Sequence, residues 1–377
     1  MNDEALQILG IDPERGFGGG ETQVMGLTLA LIRAGHRAEL LCDPVGALWR
    51  QATEAGIGCR PLTVRNSIDL TAGLRLRRLL QGGTYDVIHF HTARAHALAP
   101  YARGLARALV VTRRMDYVPN RLFAPWLYNR AVDGVAAISA GVAEALTRGG
   151  VSRERIRIIA SGVDCVRFAP PAPAQRESAR ARLGLAADEI ALGTVGALTP
   201  RKGHRTLLEA IGLIHASGGT PVRCFIAGAG PLRESLAHEI ERMAVGAEVR
   251  MLGQLDDPLL ILAALDIFAM PSMAEGLGVA ALEAMASGIP VIASAVGGLR
   301  EAVGDGRSGI LVAPGDARAL ADGISRLAAS PELRAAMGAA GRAAALAHFS
   351  LETMAARTLE LYRECLETAR SGRGEKG

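Results

Sequence analysis

Residues 270–294 read Met270-Pro271-Ser272-Met273-Ala274-Glu275-Gly276-Leu277-Gly278-Val279-Ala280-Ala281-Leu282-Glu283-Ala284-Met285-Ala286-Ser287-Gly288-Ile289-Pro290-Val291-Ile292-Ala293-Ser294. The pattern is strand end, loop, helix, strand. Gly276 and Gly278 bound the start of a segment filled with strong helix formers, and Gly288 with Pro290 beyond it stops the helix. Glu275 therefore stands just before the helix and Glu283 inside it. Eight helical residues rise about 12 Å. The backbone N–H groups near Gly278 and Val279 point out of the helix start, where the dipole favours an anion. The plainer reading makes Glu283 a solvated helix residue and Glu275 a favourable charge at the helix start.

Working outward, Ile190 to Val195 reads as a strand that enters the glycine-flanked loop 196–204 and then a helix, Arg205 to His215. Lys202 lies in that loop. The chain has one other lysine, Lys376, and is otherwise cationic through arginine. A lysine at a helix start suits a phosphate. Val222 to Ala227 leads into Gly228-Ala229-Gly230-Pro231 and a helix from Leu232 to Met243, and Val249 to Gln254, with Gly253, follows. Three helical patterns close the chain: Ala317 to Ala329, Pro331 to Ala347 and Leu351 to Thr368. The last carries an apolar stripe of Leu351, Met354, Ala355, Thr358, Leu359 and Tyr362, which must bury against its own domain or another.

Toward the N-terminus, Leu6 to Ile11 is a short apolar run that ends in Gly16-Phe17-Gly18-Gly19-Gly20, before a helix from Glu21 to Arg33. This is a Rossmann-like opening, in which Gly19 and Gly20 allow close backbone approach. Asp86-Val87-Ile88-His89-Phe90-His91 is a strand whose alternation puts both histidines on one face. His91 ends it, where open parallel sheets gather their ligands; His89 reads as a satisfied, partly buried histidine. The strand Ala108 to Thr112 opens into Arg113-Arg114-Met115-Asp116. Arg113 with Arg94 forms either a cationic pocket for a phosphate or carboxylate, or two arginines spent on Asp116 and solvent. Pro170-Pro171-Ala172-Pro173 marks a linker.

The totals exclude several classes. A chain of 377 residues has room for two or three domains. No apolar run approaches the roughly 18 residues of a spanning helix, since Pro258 to Met270 is broken by Asp266. Met1-Asn2-Asp3-Glu4 lacks the basic start of a signal peptide. Five scattered cysteines support neither a disulfide framework nor a zinc site, and point to a reducing, cytoplasmic setting. Residues 1–170 hold 21 basic and 15 acidic side chains, against 21 and 23 in 171–377. The basic first half is compatible with an anionic acceptor or the inner face of a membrane, bound peripherally, as well as with plain solvation. Nothing indicates nucleic-acid binding.

The central stretch closely resembles the signature of family 4 (group 1) retaining glycosyltransferases: Pro-Ser, Glu-Gly-aromatic-Gly, a second Glu eight residues after the first, then small-Gly-x-Pro-Val. Pro271, Ser272, Glu275, Gly276, Gly278, Glu283, Ala284, Gly288, Pro290 and Val291 match, with Leu277 in place of the aromatic residue. The resemblance extends to Asp-Val-x-His-x-His at 86–91, to Ser161-Gly162-Val163-Asp164, and to Lys202-Gly203. It implies an α/β fold of GT-B architecture, with two Rossmann-like domains facing across a cleft and a C-terminal helix returning to the first domain. The expected boundaries are 1–168 for the acceptor-side domain, 169–350 for the nucleotide-sugar domain, 351–370 for the returning helix and 371–377 for a disordered tail.

The resemblance also implies roles. Glu275 and His91 would position and stabilise the transferred sugar. Lys202, Gly278 and Val279 would hold the donor diphosphate, Glu283 the ribose and the segment around Gly253 the base, while Gly19 and Gly20 would lie near acceptor and donor phosphate. Ala197 stands where the family has an arginine, so Arg201 is nominated as the second cation. With no Asp-x-Asp motif, no metal and no other cofactor is expected. The donor would be a nucleotide-diphosphate sugar and the acceptor a saccharide or lipid-linked hydroxyl, in cell-envelope polysaccharide, lipopolysaccharide or glycolipid synthesis. The sequence admits two other readings. An NAD-dependent dehydrogenase is disfavoured because residues 16–20 are not G-x-G-x-x-G. A catalytically degenerate nucleotide-sugar scaffold is kept open by Ala197.

Overall fold

A computed structural model of the protein describes residues 4–16, 18–218 and 220–374. The chain divides into two compact units, Met1–Gly162 with Leu351–Gly377, and Val163–Ser350. The first contains β1 (Gln7–Asp12), β2 (Arg37–Cys42), β3 (Gly58–Pro61), β4 (Tyr85–Phe90), β5 (Ala106–Arg113), β6 (Gly134–Ala137) and β7 (Ile156–Ile158). Their spatial order is β3-β2-β1-β4-β5-β6-β7, all parallel. This is a doubly wound sheet whose order reverses between β1 and β4. Both faces are covered, so central strands such as Val87-Ile88 and Leu109-Val110-Val111 are continuously apolar and buried.

The helix Leu351–Gly374 belongs to this first unit. All six residues of its apolar stripe are buried, and Leu351, Met354, Ala355, Leu359 and Tyr362 join Ile8, Leu27, Val110 and Ala136 in one core. Gly26 and Gly134 let it approach: a Cβ on Gly26 would meet Leu351 Cδ2 at 2.5 Å, and one on Gly134 would meet Cys365 Sγ at 2.6 Å. The helix runs through Gly374, so residues 371–374 are helical where a disordered tail was expected; 375–377 lie outside the described residues. The chain leaves the first unit at Gly162, six residues before the expected boundary at 168. Gln23 fixes that exit with paired hydrogen bonds to Gly162, 2.7 and 2.8 Å.

The second unit contains β8 (Ile190–Val195), β9 (Val222–Ala227), β10 (Val249–Gly253), β11 (Ile267–Met270), β12 (Val291–Ser294) and β13 (Gly309–Val312). The order β10-β9-β8-β11-β12-β13, again all parallel, repeats the winding of the first sheet, with reversal between β8 and β11. Helices start where side chains cap them: Asp316 accepts from Ala319 N–H and Ser330 from Leu333 N–H. In the first unit the helix expected from Glu21 begins at Gly19, with Gly18 as its cap. Gly19 and Gly20 are therefore its first turn and not loop. Phe17, between them and β1, lies outside the described residues.

Candidate active site

In the second unit the loops after β8 and β11 converge at the reversal of strand order. Both strands end beside each other, so a side chain from either loop reaches the same point above the carboxyl edge. Three glycines make the approach feasible. Gly203 has φ +67° and its absent Cβ would fall 1.8 Å from the Pro271 carbonyl oxygen; Gly297, φ +45°, would meet the Glu275 carbonyl at 1.8 Å. Gly278 caps the helix Val279–Ala286 at φ +88°. Met273 N–H donates to the Arg201 carbonyl at 2.7 Å, tying the two loops together.

The loops bring Lys202 and Glu275 into direct contact, Lys202 Nζ donating to Glu275 Oε1. Ser272 Oγ donates to the same oxygen at 3.1 Å. Glu275 is 8 % exposed and the Lys202 side chain 26 %, so the carboxylate is buried and its cation faces outward. Gly278 and Val279 begin the adjoining helix, and its first N–H groups are the donors an anion would use. Arg201 is exposed, with its guanidinium 3.5 Å from the Ala274 carbonyl. Ala197, earlier on the same loop as Lys202, is exposed and offers no cation.

Glu283 lies one turn into that helix. Burial pushes its carboxyl up to about 7; Arg167 draws it down and Asp257 adds to the rise. Arg167 and Asp257 pair with each other at 3.0 Å. Gly253, expected near the base, ends β10 at φ +74°, and its carbonyl accepts the Gly228 N–H at 2.7 Å.

In the first unit His91 follows β4 directly, its N–H donating to Ile11 O at 3.1 Å. Gly10 lies alongside it, where a Cβ would stand at ordinary contact distance from His91 Nε2, 3.4 Å, but would crowd Leu40 Cδ2 at 2.7 Å. His89, on the same face, is satisfied at both ring nitrogens, by Tyr362 Oη at 2.6 Å and Thr112 Oγ1 at 2.7 Å, as expected for a structural histidine. The His91 ring lies 4.1 Å from that of His89, but its buried Nδ1 has no partner. Burial holds both histidines neutral, well below the ordinary value, and Arg114 pushes in the same direction.

The pocket expected from Arg94 and Arg113 is not assembled. Arg94 is engaged by Glu14 at 3.3 Å, and Arg113 is buried with its guanidinium 4.4 Å over the Tyr117 ring and donating to Tyr117 O. Alternation explains this: Arg113 points to the face of β5 opposite His89 and His91. The next residue, Arg114, points toward them. Arg114 Nε is buried without a partner, and burial lowers its guanidinium to about 10. Asp12, ending β1, is fully buried; Oδ1 accepts Glu14 N–H at 3.1 Å and Oδ2 has no partner. Burial raises Asp12 to about 7. Leaving a buried polar group unsatisfied costs about 1–3 kcal/mol, so these atoms work against stability. Asp12 and Arg114 escaped the sequence reading; the alternation of β5 beyond Thr112 is the signal that points to Arg114.

Family models cover both units: "Glycosyltransferase Family 4" over residues 17–167 and "Glycosyl transferases group 1" over 175–344. The chain belongs to the group 1 glycosyltransferases. This glycosyltransferase is 30 % identical to the lipopolysaccharide core biosynthesis glycosyltransferase LpsE of Rhizobium meliloti, over 91 % of its own length and 95 % of that protein. It is 34 % identical to the D-inositol 3-phosphate glycosyltransferase of Corynebacterium urealyticum over 59 % of its length, spanning about half (54 %) of that relative. The solved structure of Anabaena HepE in complex with UDP and glucose superposes with a TM-score of 0.84 at 25 % identity, covering 95 % of this chain and all of that one. The architecture is thus GT-B, with two Rossmann-like units. Among the described residues no helix is long and apolar enough to cross a membrane.

Proposed function

We propose that this glycosyltransferase moves a sugar from a nucleotide-diphosphate sugar to an acceptor hydroxyl with retention of anomeric configuration. The carrying observation is the Lys202–Glu275 pair, set beside the start of the helix Val279–Ala286 at the reversal point of the second sheet. The UDP and glucose bound by HepE support the donor class. In this reading the donor diphosphate takes Lys202 Nζ and the N–H groups at Gly278 and Val279, and Glu283 accepts the ribose hydroxyls. The bond from the anomeric carbon to the diphosphate oxygen breaks, the acceptor oxygen bonds to that carbon from the same side, and its proton passes to the departing phosphate. Lys202 and the helix start supply positive charge where the leaving group develops its negative charge. That assignment lets the reaction run without a metal. Glu275, fixed by Lys202 and Ser272, holds sugar hydroxyls and forms no covalent bond.

The acceptor belongs to the first unit, and a cell-envelope saccharide or lipid is the class that the LpsE similarity supports. A lipid-linked acceptor gains support from the segment 115–126, where Leu122, Phe123 and Trp126 are exposed beside Arg121. Apolar side chains rimmed by arginine suit an anionic bilayer surface. The test is a calorimetric and thermal-shift panel of UDP-, GDP- and ADP-sugars, since a ligand that binds only the folded state raises its stability. One nucleotide should give a clear shift that Lys202→Ala abolishes; folded protein that binds none would favour a degenerate scaffold.

A further inference from the structure

Lys202, the cation assigned to the donor diphosphate, is already paired. Its ammonium donates to Glu275 Oε1, the oxygen that also takes Ser272 Oγ at 3.1 Å. Both contacts fall on one oxygen, so Oε2 is the one left to face a ligand. Backbone holds the pair from both sides. Gly203, next to Lys202, crosses the Pro271 carbonyl, Gly297 crosses the Glu275 carbonyl, and Met273 N–H donates to the Arg201 carbonyl at 2.7 Å. These crossings fix the two loops to each other and keep the two charges together.

An ion pair of net charge zero is by itself a weak attractor for an anion. Lys202 Nζ carries three hydrogens and can reach a phosphate without leaving Glu275, but one positive charge then faces two negative groups. Glu275 is 8 % exposed, so little water is at hand to screen its carboxylate once the ammonium is shared. What a ligand offers to Glu275 therefore decides how well it binds. A nucleotide-diphosphate sugar brings hydroxyls that donate to the carboxylate while its phosphates take Lys202. A bare nucleoside diphosphate brings phosphate alone. It also carries more negative charge, because the terminal phosphate freed from the sugar becomes a monoester with a second ionisation at about pH 6. That charge arises on the sugar side of the diphosphate, the side given to Glu275 in the reading above.

We infer that Glu275 is a counter-ion lock on Lys202, which sets the site's preference for the complete donor over the nucleoside diphosphate left after transfer, so that the spent nucleotide leaves instead of blocking the site. The inference rests on the nucleotide-sugar reading above and adds a regulation of the same site. In this role Glu275 acts through its charge on Lys202, apart from its hold on sugar hydroxyls.

Calorimetry on the full chain compares UDP with UDP-glucose, GDP with GDP-mannose and ADP with ADP-glucose. For the pair that binds, Glu275→Gln should tighten the bare diphosphate by about fivefold, the upper range for an ion pair that water reaches. The complete donor gains the same released lysine but loses its hydroxyl bonds to the carboxylate. It should not tighten, and the ratio of donor to diphosphate affinity should fall by about fivefold or more. Glu275→Ala should move both affinities in the same directions. Ser272→Ala keeps both charges and removes only the second hydrogen bond to the carboxylate, so it should leave the diphosphate no tighter than in the wild type. Diphosphate affinity that is unchanged or weakened in both Glu275 variants overturns the inference. So does a gain in Ser272→Ala equal to that in Glu275→Gln, since loosening of the loop would then account for the effect. Wild-type protein that binds neither member of any pair would instead refute the nucleotide-sugar reading itself, and the inference with it.

Discussion

Replacing Lys202 and Glu275 singly and together separates what their pair does for the fold from what it does for the donor. Removing one partner of a buried ion pair costs about 3–5 kcal/mol, because the other charge is left buried. Glu275 is 8 % exposed, but the Lys202 side chain is 26 % exposed, so water reaches the gap and the cost falls at or just below the lower end. Lys202→Met should then cost about 2–3 kcal/mol, with Ser272 Oγ retained as a donor to the stranded carboxylate. In a unit of this size that lowers the melting temperature by roughly 5–10 °C. Glu275→Gln leaves the more exposed ammonium, and should cost about 1 kcal/mol. The double variant removes both charges and should recover to within about 1 kcal/mol of the wild type. Transfer should not recover. Each single variant should fall at least about tenfold in transfer, a loss of 1.4 kcal/mol or more in transition-state stabilisation, and the double no less. The assays are thermal melts and initial rates with the donor found in the nucleotide panel. A double variant that regains both stability and transfer would refute the reasoning, because the pair would then be a structural element and nothing more.

Other outcomes follow from the same geometry. Asp12 and Glu283 have folded values raised above their unfolded ones, so the folded state binds more protons, and stability contributed by their neutral forms is lost as pH rises from about 4 through about 7. Comparing urea midpoints of Asp12→Asn with the wild type isolates this from the buried histidines, which act in the opposite sense below about 6.5; the variant should gain on the wild type as pH rises to 8, and parallel profiles would contradict the burial argument. If Glu283 accepts ribose hydroxyls as a carboxylate, donor affinity should rise across the same pH window and flatten in Glu283→Gln, as read by calorimetry. Gly203→Ala forces a Cβ onto the Pro271 carbonyl at positive φ and should destabilise by more than about 3 kcal/mol in denaturant melts. Gly19→Ala, by contrast, meets nothing within 4 Å and enters a helix's first turn, so it should leave stability intact; a drop in transfer there would locate substrate against that backbone. If the segment 115–126 docks on a bilayer, Trp126 emission should shift to the blue with anionic vesicles and revert at high salt, and Trp126→Leu should remove the shift.

The candidate site of the second unit is legible because its frame is made of backbone. Gly203, Gly278 and Gly297 mark places where two chains cross or φ is positive, and such positions admit little but glycine, so the spacing Pro271-Ser272, Glu275-Gly276, Gly278 and Gly288 is readable from letters. What the letters do not contain is pairing. Lys202 and Glu275 were assigned separately to phosphate and sugar, and their contact follows from β8 and β11 lying side by side, a fact of strand order. The first unit was harder for the same reason. Asp12 sits in Gly10-Ile11-Asp12-Pro13 with no periodic signal, and it is fully buried. Arg113 and Arg114 differ by one residue, and in a strand one residue is the other face. The reading favoured Arg113, and the register of β4 with β5 selects Arg114.

The helix Leu351–Gly374 completes a core that begins at Ile8. The first unit is therefore assembled from both ends of the chain with the second inserted between them, and Tyr362 reaches His89 across more than 270 residues of sequence. During synthesis the second unit has its whole sequence, Val163–Ser350, before the first has its last helix. Until then the face formed by Ile8, Leu27, Val110 and Ala136 lacks its cover, and His89 lacks one of its two partners. A ribosome pause near residue 350, or a truncation there, should leave a folded second unit attached to a first unit with an uncovered apolar face, the kind of surface on which chaperones and aggregation compete. The order of synthesis thus makes the first unit the last to become competent.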